Sequence, residues 1–193
     1  MAPSLGTRID FEDHTLGELC QFDHALPLRD EYLETHGVSF SGDAQEDGLT
    51  VLHRCSNLGP GSHSTGDYFL VGNERATLSN GGIPRLPLTI DFSQDVTEVS
   101  LWAAHGVKSQ PFTLNIRGYD GPGSTGDEVV TVSQTTTPTW QRWTVAAPAG
   151  KAIRSLVVSK SPEGHSLIID DLEWRWASAS SVTEGIASRS NPP

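Results

Sequence analysis

Six carboxylates lie in two short runs near opposite ends of the chain, and the types and spacing of four of them, Asp10, Glu12, Asp170 and Asp171, suit the capture of a hard cation. The first run is Arg8 to Asp13, RIDFED, and the second is Leu167 to Trp176, LIIDDLEWRW. Successive side chains of a strand point to opposite faces, so Ile168, Asp170, Leu172, Trp174 and Trp176 share one face. Ile169, Asp171, Glu173 and Arg175 share the other. Asp170 therefore falls on an apolar face, where a carboxylate is costly unless it is paired or holds a metal. No Lys or Arg shares that face, so Asp170 is expected either at the rim of a sheet or on a cation. In the first run Ile9 and Phe11 point inward, Asp10 and Glu12 outward. If the first and last strands lie side by side, Asp10, Glu12, Asp170 and Asp171 bring oxygen donors to one edge, which suits calcium.

A second constellation has the chemistry of sugar recognition. In TEVSLWAAHG alternation sends Val99, Leu101 and Ala103 inward and leaves Trp102 on the wet face. In PFTLNIRGYDG it sets Phe112, Leu114 and Ile116 against Thr113, Asn115, Arg117 and Tyr119. If these strands are neighbours, Trp102 and Tyr119 stand beside Asn115 and Arg117, with Trp140 nearby. A sugar ring offers an apolar C–H face and a hydroxyl rim, so aromatic platforms flanked by planar hydrogen-bonding groups match it. The competing reading packs Trp102 under a loop with the Arg117 stem over it. Trp143, paired by alternation with Val145, belongs to the core.

Catalytic chemistry finds few residues. The seven histidines, His14, His24, His36, His53, His63, His105 and His165, lack the spacing of a helical or ribbon metal motif and read as solvated. The loop GPGSTGDE at Gly121 to Glu128 has no Gly-Lys-[Ser/Thr] and is no phosphate cradle. Ser62 and Ser64 around His63 form no nucleophile elbow. Asp10, Glu12, Asp170 and Asp171 could form a glycosidase pair only across an open cleft, and calcium ligation explains them with fewer assumptions. The expectation is a non-enzyme.

The elements that must position these groups are short alternating runs separated by Gly, Pro, Asp and Ser. They are Arg8 to Glu12, Gly37 to Ser41, Leu49 to Cys55, Tyr68 to Val71, Leu88 to Phe92, Glu98 to Ala104, Phe112 to Tyr119, Glu128 to Ser133, Gln141 to Ala146, Ile153 to Lys160 and Ser166 to Trp174. Many short strands at such spacing predict an all-β antiparallel sandwich of jelly-roll type. One short helix is predicted over Leu28 to Glu34, introduced by Pro27 and stopped near Gly37, plugging one end of the sandwich with Tyr32 and Leu33. Ser56 to Asp67 and Gly72 to Pro87 read as long loops. The expected organisation is a lead over residues 1–8, one domain over 9–176, and a small polar tail over 177–193.

With 13 Lys and Arg against 24 Asp and Glu the formal charge is −11, and no basic patch offsets it, so nucleic acid is not an expected partner. No apolar run approaches a membrane helix, and membrane insertion is not expected. MAPSLGTR has no basic stretch leading into an apolar one, so it does not read as a secretory signal. Cys20 and Cys55 either remain free thiols or form a bridge in an oxidising compartment, closing a loop of about 35 residues at a gain on the order of 3 kcal/mol.

The IDDLEW run, the FE of RIDFED and YLETHGVSF at Tyr32 to Phe40 together resemble the calcium-binding jelly-roll sandwiches of carbohydrate-binding modules. They are also similar to the galactose-binding-like, lectin-like domains of bacterial surface proteins. The resemblance runs from about Ile9 to Trp176. It implies a structural calcium held by Glu12 and Asp170, with Asp171 as a helper. It also implies a non-catalytic, extracellular or cell-surface module whose partner is a glycan or polysaccharide. The alternatives are a jelly roll used as a building block of a surface layer, fibre or virion, which would self-assemble into a homo-oligomer, and a polysaccharide hydrolase or lyase.

Overall fold

In the computed structural model the described residues are 7–13, 20, 26–44, 47–59, 66–72, 85–106, 110–161 and 166–178. Ten strands account for nearly all the regular structure: β1 Arg8–Ile9, β2 Val38–Ser41, β3 Thr50–His53, β4 Tyr68–Gly72, β5 Leu88–His105, β6 Thr113–Tyr119, β7 Glu128–Thr135, β8 Gln141–Ala146, β9 Ile153–Ser161 and β10 Leu167–Trp176. Among the described residues every pairing between strands is antiparallel, and one isolated bridge, Asp47 to Arg85, is parallel.

Where the alternation suggests two strands, Leu88 to Phe92 and Glu98 to Ala104, there is one strand of 18 residues. Its first half pairs with β2 and β9, and its second half with β10 and β8. The change comes where the ladder to β9 breaks between Asp91 and Val96. Strand β5 thus belongs to two sheets, a first in the order β2-β5-β9-β6-β7 and a second in the order β3-β4-β10-β5-β8. Between them lies one core. The first sheet sends in Phe40, Ile90, Leu114, Ile116 and Leu156, the second Val51, Leu70, Leu101, Trp143 and Ile169. Trp143 is fully buried, as its alternation with Val145 predicts. This is the antiparallel β-sandwich expected from the sequence.

The predicted helix shrinks to one turn, Leu33–His36, ended by Gly37 in the left-handed conformation with its N–H on the Leu33 carbonyl. Leu28 and Arg29 do not join it because their backbone is committed elsewhere. The Leu28 N–H donates to the Leu49 carbonyl and the Phe40 N–H to that of Arg29, both at 2.8 Å. Tyr32 is buried as expected, but Leu33 is exposed and plugs nothing. Two histidines that read as solvated, His53 and His105, are buried. His14, His24, His63 and His165, most of the Gly72 to Pro87 connection, and the tail from 179 onward lie outside the described residues. No helix among the described residues is long and apolar enough to cross a membrane.

Candidate functional site

The first and last described strands do meet. β1 lies against β10, with Arg8 opposite Glu173 and Ile9 opposite Leu172. The contact is shorter than the expected Arg8 to Glu12 strand, because Phe11 takes a left-handed backbone conformation, φ 62°, to bury its ring edge-on against Tyr32, centroids 6.0 Å apart. That conformation is unusual for a bulky residue, and β1 ends before it, at Ile9. The Glu12 carboxylate then accepts hydrogen bonds from the backbone N–H groups of Asp67, 3.1 Å, and Tyr68, 2.9 Å. Asp10 accepts from the Glu12 N–H at 3.3 Å.

The face assignment of the last strand changes at a β-bulge. Asp170 pairs with Trp102 and Glu173 with Ser100, so Asp171 and Leu172 together oppose Leu101 alone. Asp171, φ 48°, is the distorted residue. Strict alternation places Ile168 and Leu172 on one face; the bulge puts Leu172 and Trp174 in the core and leaves Ile168 and Asp170 on the outer face of the second sheet. Asp170 is still only 2% exposed, and its Oδ1 accepts from the Asp171 N–H at 2.8 Å. Asp171, 3% exposed, is met by Arg8, whose Nη2 lies 2.6 Å from Oδ1. That hydrogen bond, against the opposing effect of partial burial and with help from the charges of Asp171, Asp10 and Glu173, raises the Arg8 guanidinium above its ordinary value.

The calcium expectation for Asp10, Glu12, Asp170 and Asp171 therefore meets a different geometry. Arg8 neutralises Asp171, backbone amides hold Glu12, and among the described residues no three Asp, Glu, His or Cys side chains gather. Among the described residues these four carboxylates do not converge as one set of side-chain ligands. The sequence argument assumed unbroken alternation and assigned no part to Arg8, which sits at the start of the same run.

The sugar-reading residues divide between two faces. Asn115, Arg117 and Tyr119 lie on the outer face of β6, which pairs with β7 and β9 in the first sheet. Trp102 lies on the outer face of the second sheet, between Asp170 and Arg142. Trp140 packs on that same side. The strands of Trp102 and Arg117 are not neighbours, so the five residues cannot form one site. Alternation assigns each side chain a face but says nothing about which sheet its strand joins.

The outer face of the second sheet has two halves. Over β3, β4 and the start of β10 it is apolar, with Leu52, Phe69, Val71, Ala104 and Ile168, and Leu58 and Trp140 cover it. Gly59 approaches so closely that a Cβ there would meet Ile168 and Phe69. The covering loop is tethered by the disulfide Cys20–Cys55, so the two cysteines are bridged. The other half is an open groove of about 360 Å³ lined by Thr7, Arg8, Glu98, Ser100, Arg142 and Glu173, with Trp174 and Arg175. Four adjacent strands build it. Arg142 donates through Nη2 to Ser100 Oγ, 3.0 Å, and to Glu173 Oε2, 3.2 Å. Glu173 also stands 3.9 Å from Arg8 Nε, and Arg175 stands 3.6 Å from Glu98. Half-buried Trp102 flanks Arg142 where the groove meets the covered half. The sequence shows Arg142, Glu173 and Arg175 as outward-facing; only the strand order brings them together.

No protein-family model matches the chain, and no curated protein sequence matches it. Solved structures do. The K2 cleaved adhesin domain of Lys-gingipain superposes with a TM-score of 0.56 at 14% identity, covering 86% of this chain and 97% of that one. The N-terminal tandem of two family-22 carbohydrate-binding modules from Paenibacillus barcinonensis gives 0.52 at 15% identity, covering 98% of this chain and 50% of that one. The chain shares their β-sandwich fold. At such identity the likeness speaks for architecture, and the chemistry must come from the groove.

Proposed function

We propose that this chain is a non-catalytic carbohydrate-binding module that takes a glycan in the groove over β10, β5 and β8. The observation that carries the reading is the Arg142 guanidinium, presented in the groove between a hydroxyl and a carboxylate with an indole beside it. Guanidinium and carboxylate groups in one plane offer donors and acceptors in the fixed geometry that vicinal sugar hydroxyls need. Trp102 supplies the apolar surface for a ring face. The ion pairs of the groove hold these polar groups in place before a ligand arrives, which lowers the ordering cost of binding. The fold shared with a carbohydrate-binding tandem supports the reading. The disulfide supports an oxidising, extracellular location.

The test is a glycan array followed by affinity electrophoresis on soluble polysaccharides. Arg142→Ala removes a charged hydrogen-bonding group worth about 1.5–3 kcal/mol, so retention should weaken by roughly 10- to 100-fold. Trp102→Ala should also weaken it, while Arg117→Ala on the opposite sheet should not. Retention on no glycan, or a loss caused by Arg117→Ala and not by Arg142→Ala, removes the proposal.

A further inference from the structure

The four ends of the two sheets are treated unequally. The edge of β2 is covered, its Phe40 N–H bonded to the Arg29 carbonyl and its Val38 N–H to that of Tyr32. β3 is four residues long and flanked by the same incoming segment, with the Thr50 hydroxyl on the Leu26 carbonyl. β8 has six residues and carries Arg142. β7 has eight, pairs with β6 on one side, and has no strand on the other among the described residues. Bare edges expose a row of N–H and C=O groups that template a further strand, and proteins blunt them with lysine, proline, covering loops or short length. β7 carries none of these devices along its run, and its one bulge, at Val129, lies near its start. From Val129 to Thr137 the sequence is VVTVSQTTT, without a charge or a proline, in a chain of net charge −11. Thr131, Ser133, Gln134 and Thr135 are exposed, and Val130 and Val132 are half-buried.

We infer that β7 is a docking edge for a second copy of this chain, joined by antiparallel pairing of β7 with β7 about a two-fold axis. An antiparallel pair of identical strands is self-complementary, as a two-fold interface must be. With the axis near Val132, Thr131 faces Ser133 of the second copy and Val130 faces its Gln134. The outer face then carries hydroxyl pairs of the kind that stabilise antiparallel sheets. The one charge on the strand, Glu128, lies at its end, held by the Thr131 hydroxyl and 4.0 Å from Arg117. The two copies of Glu128 stand roughly 25 Å apart at strand spacing, beyond the screening length of physiological salt. The first sheets of the two copies become one ten-stranded sheet, and the sugar grooves, on the second sheets, stay open. A strand edge buries a small area, so the dimer is a weak one.

Sedimentation velocity from micromolar to near-millimolar protein should show a reversible monomer–dimer equilibrium. In Thr131→Lys/Ser133→Lys, two lysine pairs oppose each other across the axis, and association should weaken by about tenfold or more. Both sites are exposed and each gives up only one surface hydrogen bond within its own copy, Thr131 to Glu128 and Ser133 to Asn115, so the melting curve of the dilute monomer should change little. Ser39→Lys, on the far side of the same sheet, should leave association unaltered. Hydrogen exchange at high concentration should protect the β7 amides. A strictly monomeric protein, a dimer indifferent to the two lysines, or protection confined to another strand overturns the inference.

Discussion

Replacing Arg8 by methionine keeps the stem of the side chain and removes the guanidinium from Asp171, which is 3% exposed. Breaking a fully buried ion pair by removing one partner costs about 3–5 kcal/mol, because the other charge is left uncompensated. Here the Arg8 side chain is 46% exposed, and solvent screening reduces the effect, so about 2 kcal/mol is expected. For a domain of this size that lowers Tm by roughly 4–8 °C. Asp171→Asn removes the charge instead of stranding it, and asparagine tolerates the left-handed backbone at φ 48°, so its cost should be smaller. The double variant should be more stable than the sum of the single effects implies, with a coupling of about 1 kcal/mol. Thermal melts of the four proteins, each with and without a chelator, provide the measurement. If Arg8 is the cation that Asp171 requires, the chelator changes none of the curves. An Arg8→Met protein as stable as its parent, together with a Tm that falls in chelator, would refute this account and restore the calcium expectation.

Two further outcomes follow from buried groups. Burial first, then the hydrogen bond to Asp13 at 2.8 Å and the carboxylates around it, push the Tyr32 phenol far above its ordinary value of 10.0. A neutral phenol favoured by folding contributes stability fully below the unfolded value and loses it as pH rises past about 10. Tm measured through the alkaline range should therefore fall less steeply in Tyr32→Phe than in the parent; parallel slopes would show that Tyr32 ionises freely. The Cys20–Cys55 bridge closes a separation of 35 residues, so in the loop-entropy picture Cys20→Ser/Cys55→Ser should cost about 3–4 kcal/mol. A reductant should lower the Tm of the parent and leave that variant unmoved, and a parent insensitive to reductant would contradict it.

Much of the fold is legible in alternation alone. PFTLNIRGY and QRWTVA name their buried and exposed residues correctly, because an unbroken strand has a strict two-residue period. The rule fails at each irregularity. Nothing in LIIDDLEW marks Asp171 as a bulge, since the pattern reads as regular up to the tryptophans. Likewise Asp10 and Glu12 look like the outward residues of a strand until the Phe11 ring is seen to prefer the core. Leu28 to Glu34 has a good helical opening, but the first residues of that stretch hydrogen-bond to Leu49 and Phe40, and a one-turn helix is all that remains.

The local pattern of side chains determined that this chain makes an antiparallel sandwich, which residues fill its core, and that Trp102, Arg142, Glu173 and Arg175 face outward. Those properties depend on each residue and its near neighbours. The tertiary structure alone decided that β5 serves both sheets, that Trp102 and Arg117 lie on opposite faces, that Arg8 reaches Asp171, and that Arg142 meets Glu173. Each of these depends on which distant strands pair and in what register, and hydrogen bonds between strands carry no record of their partners in the sequence of either one.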